Sequence, residues 1–276
     1  MISAPDLPRR VEEYDSRQYL IPGLVSISFR HLTPREVVTL ASCSGLEAIE
    51  WGGDIHVPVS AVAHAKEVGR MTSDLGLAVA AYGSYFRVVE ADGVEPEFAP
   101  VLDTALALGA PRIRVWSGVR ASCEATDHDF ERLAARLNIL ATQAEESGVK
   151  VSLESHSGTL TDTYSSSLRL LTLASHPNID LVWQPTPGLP VADCRDGLAA
   201  CLPYVSNLHA FHWLANGERR PLAEGYEIWA DYFAVALPVA APRFVLLEFF
   251  RDDDPAHLPA EASTLRSLLA SLSHHT

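Results

Sequence analysis

A chain of 276 residues, 47% hydrophobic and 20% charged with 16 Gly and 18 Pro, can bury one large core, and its composition excludes a collagenous or disordered polymer. Its 35 acidic against 21 basic side chains leave a formal charge of −14, which would repel a phosphate backbone. That balance argues against nucleic acid as a partner and for a small molecule.

The predicted elements alternate along the chain. Residues 1–20 read as an N-terminal extension without the apolar stretch of a signal peptide, and 21–276 as one catalytic domain. Short runs rich in Val, Ile, Leu and aromatics fall at 24–30, 46–52, 77–83, 112–118, 150–156, 179–184, 205–213 and 244–250. Each is followed by a stretch with helical spacing, at 34–44, 59–75, 98–108, 127–147, 165–174, 193–202, 226–237 and 259–272. Thr33-Pro34-Arg35-Glu36 is a capping box with Pro at the first helical position, and Gly45, Gly76, Gly109 and Gly148 each stand where a helix closes before a strand. Eight βα units with neither GxGxxG nor a P-loop in the first turn fit a single (β/α)8 TIM barrel better than an open sheet. No apolar run is long enough to span a membrane. Cys43, Cys123, Cys194 and Cys201 include no C-x-x-C pair, so reduced thiols in a cytoplasmic protein are expected.

In such a barrel the chemistry sits at the C-terminal ends of the strands. The last four runs end with Glu154, Gln184, His209 and Glu248, one metal-competent group on each of four consecutive strands. Two glutamates at one mouth repel each other unless a cation or protons compensate them. Carboxylate, carboxamide and imidazole together suit Mn²⁺ best, with Mg²⁺, Co²⁺ or Zn²⁺ as alternatives. His209 is preferred to His212, which lies three residues on and so on the other side of an ideal strand. His156 shares the parity of Glu154 and is expected to face the pocket. Trp116 and Tyr82 are expected in an apolar wall. Asp54 and His56, in the Gly-rich turn after the second strand, are candidates for binding substrate hydroxyls. Arg219 sits in the loop after the seventh strand, where barrels often bind phosphate. Glu50 and Arg114 point into the barrel by parity, and a buried charge needs a partner, so the two are expected to pair across the interior.

The order Glu154, Gln184, His209, Glu248 resembles the xylose isomerase-like TIM-barrel superfamily. The phrases Leu153-Glu154-Ser155-His156, Thr159-Leu160-Thr161-Asp162-Thr163, Trp183-Gln184-Pro185 and Ile49-Glu50-Trp51-Gly52-Gly53-Asp54-Ile55-His56 resemble its sugar phosphate isomerase/epimerase branch. Gln184 stands where that superfamily usually has an Asp ligand. The resemblance implies divalent-metal-dependent isomerisation or epimerisation of a sugar or related polyol through an enediolate, with Glu154 and Glu248 moving the proton. The alternative it implies is a lyase of the same fold, an inosose-type dehydratase or a C-glycoside-cleaving enzyme. The expected partner is a small carbohydrate, without nucleic acid or membrane; a homo-oligomer stays open.

Overall fold

The computed structural model describes residues 19–89, 95–237 and 242–272. Eight parallel strands close on themselves: β1 (Leu20–Val25), β2 (Ala48–Gly52), β3 (Ala78–Arg87), β4 (Arg112–Trp116), β5 (Lys150–Glu154), β6 (Ile179–Trp183), β7 (Val205–Ala210) and, after a short hairpin of β8 (His212–Trp213) and β9 (Arg219–Arg220), β10 (Arg243–Leu247). Closure is made by β1, which pairs with β10 from Leu20 opposite Arg243 and with β2 from Gly23 opposite Ala48. The connecting helices are α1 (Pro34–Cys43), α2 (Val62–Asp74), α3 (Ala99–Leu108), α4 (Asp127–Glu145), α5 (Tyr164–Ala174), α6 (Val191–Cys201), α7 (Tyr226–Ala236) and α8 (Leu258–Ser271). The chain is thus a (β/α)8 barrel, as its alternating pattern required. Among the described residues no helix is long and apolar enough to cross a membrane.

The punctuation works as its chemistry dictates. Thr33 accepts the Glu36 N–H while the Glu36 carboxylate takes the Thr33 N–H, a reciprocal cap that satisfies two donors left unbonded at the start of α1. Gly45, Gly76, Gly109 and Gly148 all have φ between +70° and +76°, the left-handed region that favours a residue without Cβ. The main apolar cluster lies between strands and helices. A smaller one, Val25, Ile27, Ala48, Ala80 and Leu246, is separate from it. Ala48 and Leu246 stand two residues before Glu50 and Glu248, so on each strand an apolar position precedes a polar one toward the mouth.

Three local departures from the sequence pattern matter for the mouth. The first run was expected at 24–30, but β1 ends at Val25 and Ser26–Phe29 forms a single 3₁₀ turn. Its serines supply what the ladder would have: Ser26 Oγ accepts the Gly52 N–H at 2.9 Å and Ser28 Oγ the Phe249 N–H at 3.2 Å. β3 runs on to Arg87 with an irregularity between Gly83 and Phe86. The seventh run divides after Ala210, leaving His212 in the hairpin rather than the barrel. The proposed extension 1–20 lies outside the described residues except at its end, where Leu20 already belongs to β1.

Candidate active site

A cavity of about 360 Å³ opens at the C-terminal end of the barrel, lined among others by Arg30, Tyr85, Arg114, Trp116, Glu154, His156, Gln184, Phe211, Trp213, Glu248 and Phe249. Glu154 closes β5, Gln184 follows β6, His209 is the penultimate residue of β7 and Glu248 follows β10. Each is placed by a strand whose Leu and Val side chains, among them Leu153, Leu181, Leu208 and Leu247, are buried in the core.

The four expected ligands are held differently. Gln184 donates Nε2–H to the Ser155 carbonyl at 2.6 Å, which turns its amide oxygen away from that carbonyl and leaves it buried without a hydrogen bond. His209 has Nε2 3.2 Å from Glu50 Oε2 and Nδ1 3.4 Å from Glu248 Oε2. Neither that Nδ1 nor that Oε2 makes a hydrogen bond. Glu154 is engaged: Oε2 accepts from the Arg114 guanidinium and from the Trp116 indole N–H, the latter at 2.5 Å. The expected pairing of Glu50 with Arg114 is present, with Arg114 Nε 2.6 Å from Glu50 Oε1 and both side chains buried inside the barrel.

Buried polar atoms without partners need an explanation, and an ion is one of the few available. Here the Gln184 amide oxygen has no partner, and His209 Nδ1 and Glu248 Oε2 face only each other, 3.4 Å apart and without a hydrogen bond, on the ends of β6, β7 and β10. Lone-pair donors of mixed type fit a divalent cation. Among the described residues no three His, Cys, Asp or Glu side chains are arranged to hold a metal. The fit therefore depends on the Gln184 amide as the third donor while Glu154 is turned onto Arg114.

The electrostatics follow from burial and pairing. Burial alone would raise the Glu50 carboxyl, but Arg114 and His209 outweigh it and hold it down to about 2. Burial alone would lower His209, but Glu248 and Glu50 outweigh it and push it up to about 10. In the cation-free chain His209 is thus an imidazolium between two carboxylates, and a metal bound at Nδ1 must displace a proton. Burial disfavours the Arg114 charge too, yet Glu154 and Glu50 together raise its pKa well above the ordinary value.

Of the other expected contacts, His156 and Trp116 line the cavity and stack at 4.6 Å between ring centres. His156 Nδ1 lies 2.7 Å from the Ser157 carbonyl oxygen, which can only accept, so the neutral ring carries its proton there and its lone pair on Nε2. Tyr82, expected in the wall, is instead fully buried behind it, its hydroxyl donating to the Val57 carbonyl at 2.8 Å. The ladder with β2 steps from Val79 to Ala81, which puts Tyr82 in register with buried Trp51 rather than with inward-facing Glu50, and a second irregularity between Gly83 and Phe86 brings Tyr85 into the wall at φ +57°. His56 is also withdrawn, lying 3.0 Å from Ser26 Oγ and 3.1 Å from the Leu32 carbonyl. Asp54 reaches the cavity only through Arg30, whose Nε it holds at 2.8 Å. Arg219 is bound to Asp253 at 2.5 Å and lies over the rings of Trp213 and Phe249, bracing two lining residues rather than lining the cavity itself. The sequence reading did not select Arg30, Tyr85, Phe211, Trp213 or Phe249. Arg30 closes the first apolar run and could have been weighed; the left-handed turns at Tyr85 and Phe249 leave no local signal.

A closed eight-stranded barrel with an acidic and imidazole-bearing mouth defines the class of (β/α)8 proteins whose chemistry lies at the strand ends. Within it, residues 38–268 match the xylose isomerase-like TIM barrel family, and the chain belongs to that family. It is 23% identical over 272 residues to a 3-dehydroshikimate dehydratase of Bacillus anthracis, covering 88% of this chain and 95% of that protein. Among solved structures it is similar to the probable 3-DHS dehydratase of petrobactin synthesis from Bacillus anthracis (TM-score 0.74, 21% identity, 90% of this chain and 98% of the other). It is also similar to a xylose isomerase-like protein from Mycobacterium smegmatis in complex with magnesium (0.69, 15%, 94% and 99%) and to a D-allulose 3-epimerase from Methylomonas sp. (0.68, 16%, 91% and 98%). Members of the family are thus enzymes that include a dehydratase and an epimerase.

Proposed function

We propose that this chain is a metal-assisted lyase that removes water from a ring-shaped, polyhydroxylated carbonyl compound. The observation that carries the reading is the unequal state of the two mouth glutamates. Glu154 is saturated by Arg114 and Trp116, whereas Glu248 Oε2 accepts no hydrogen bond and faces His209 Nδ1 at 3.4 Å, and His156 Nε2 is open, so the groups able to accept a proton are not a matched pair of carboxylates. An unmatched set suits elimination from one face better than proton exchange across two faces. A dehydratase among the relatives supports the same choice.

The proton path needs only this chain's residues. His156 Nε2 takes the proton from the carbon next to the carbonyl, and the C–H electron pair becomes an enolate. That pair returns to form the C=C bond and expels hydroxide from the next carbon. The imidazolium of His156 returns its proton to the departing hydroxide, so one water leaves and the enzyme is restored. The aromatic walls Tyr85, Trp116, Phe211 and Phe249 would lie against the ring, and a cavity of about 360 Å³ is within the range of small-ligand sites. Gln184, His209 and Glu248, with Glu154, would hold the divalent cation, Mn²⁺ by preference, which when bound supplies a Lewis acid for the carbonyl oxygen.

A second reading, epimerisation or isomerisation of a ketose, is favoured by one observation: Glu154 and Glu248 do line the same cavity, from strands separated by β6 and β7. One experiment separates the two. Mn²⁺-loaded protein is incubated in D₂O with 3-dehydroshikimate or with ketohexoses and followed by ultraviolet absorbance and NMR. A new conjugated chromophore with loss of water from the acid supports the lyase. Deuterium in recovered ketose without a chromophore overturns it for the second reading.

A further inference from the structure

We infer that Glu50, a carboxylate outside the candidate ligand set, is a positioning residue for two of its members: it fixes which imidazole nitrogen His209 offers to a cation and, through Arg114, where Glu154 stands. The inference rests on the metal-binding reading above and deepens it. Glu50 and His209 are each 0% exposed, on β2 and β7, and they meet through the barrel interior although 159 residues separate them in the chain. The two oxygens of Glu50 have separate tasks. Oε1 accepts from Arg114 Nε at 2.6 Å, and Oε2 faces His209 Nε2 at 3.2 Å.

An ionised carboxylate can only accept, so the proton between Glu50 and His209 belongs to Nε2. With Nε2 protonated, the lone pair of a ligating imidazole must be on Nδ1, the nitrogen that already faces Glu248. Carboxylate partners of this kind orient ligating histidines and raise their basicity. Arg114 then carries the orientation on. Its Nε binds Glu50 and its Nη1 binds Glu154, so one carboxylate sets the position of a second through a shared guanidinium.

The surrounding backbone accommodates this array. A Cβ on Gly83 of β3 would lie 2.7 Å from Arg114 Nη2 and 3.0 Å from Glu50 Oε1, so the side chain is missing where the ion pair passes between β2 and β4. Buried ion pairs are weak contributors to stability and can often be replaced by apolar groups without loss. Orientation of the mouth gives this one a purpose that stability does not.

The test uses Glu50→Gln in the full chain, metal-stripped and shown to be folded by circular dichroism, titrated with Mn²⁺ by calorimetry. The expected result is a metal affinity about 10- to 100-fold weaker than that of the unsubstituted protein. A second measurement needs no Glu50 substitution: in Zn²⁺-loaded protein carrying ¹⁵N-histidine, the His209 signal, assigned by its loss in His209→Gln, should show Nε2 protonated and Nδ1 bound to metal. A folded Glu50→Gln that binds Mn²⁺ as tightly as the unsubstituted protein, or Zn²⁺ on Nε2, overturns the role of Glu50 and leaves the metal reading standing. Unsubstituted protein that binds neither ion overturns both.

Discussion

Gln184 differs from its neighbours in being neutral, and the hydrogen bond from its Nε2 to the Ser155 carbonyl fixes which end of the amide faces inward. Its amide oxygen is buried without a hydrogen bond, and as a proposed ligand it would add no charge, so a bound cation would keep more of its Lewis acidity than among three carboxylates. Gln184→Asp is therefore expected to tighten Mn²⁺ binding in calorimetry while lowering turnover, because charge count tunes affinity and quenches the ion together. Affinity and turnover that both stay constant would show Gln184 to be a packing residue. His156 answers a different question. Its lone pair is on Nε2 and it stands outside the metal set, so His156→Gln should reduce turnover by about 10²- to 10⁴-fold while leaving Mn²⁺ affinity unchanged. A loss of metal binding in that variant would move His156 into the ligand set and remove it from proton transfer.

At the scale of elements, α1 and α4 begin with the same device. Thr33 with Glu36 and Thr126 with Asp129 form reciprocal boxes, and in each the hydrogen bond from the threonine backbone N–H is the largest cause of a carboxyl pKa below its ordinary value. A carboxyl whose folded pKa is depressed adds stability that is fully present above its unfolded pKa and is lost as pH falls through the folded one. Thr33→Ala should cost about 1 kcal/mol at neutral pH, read as a lower urea midpoint. The deficit should shrink at pH values low enough to protonate Glu36, because the substitution removes the hydroxyl bond to that carboxylate while the backbone bond stays, and a deficit independent of pH would mean that the hydroxyl acts only as acceptor for the Glu36 N–H. The boxes were legible because a capping box is a local pattern of four residues. The end of β3 was not. Tyr82 rather than Tyr85 looked pocket-facing because strict alternation was assumed, and the register shifts of the ladder at Ala80 and between Gly83 and Phe86 depend on strand pairing. Likewise, the apolar run at the first strand concealed a turn that only the partners of Ser26 and Ser28, on other strands, explain.

In the molecule as a whole, barrel closure brings β5, β6, β7 and β10 side by side, and it is this order that turns four separate strand ends into one mouth. The order, the interior pairing of Glu50 with Arg114 and the inward placing of His209 rather than His212 could be reasoned from parity in the sequence. The contact of His209 with Glu50 could not, because it joins opposite parts of a barrel whose radius no local pattern encodes. Closure would also give the proposed cation a global consequence. Its proposed donors come from strands spread over residues 154 to 248, so they could converge only in the folded barrel, and a ligand that binds the folded chain alone must stabilise it by mass action. At Mn²⁺ about 100-fold above its dissociation constant the gain is about 2.7 kcal/mol. For a chain of this length that corresponds to a rise in Tm of about 5 °C or more. The expected outcome is that calorimetric Tm rises with Mn²⁺, returns to the starting value with a chelator, and fails to rise in His209→Ala, in which the only imidazole of the set is gone. A Tm indifferent to Mn²⁺ in the parent chain would remove the cation from the mouth, whereas an equal rise in parent and variant would place it elsewhere on this strongly acidic surface.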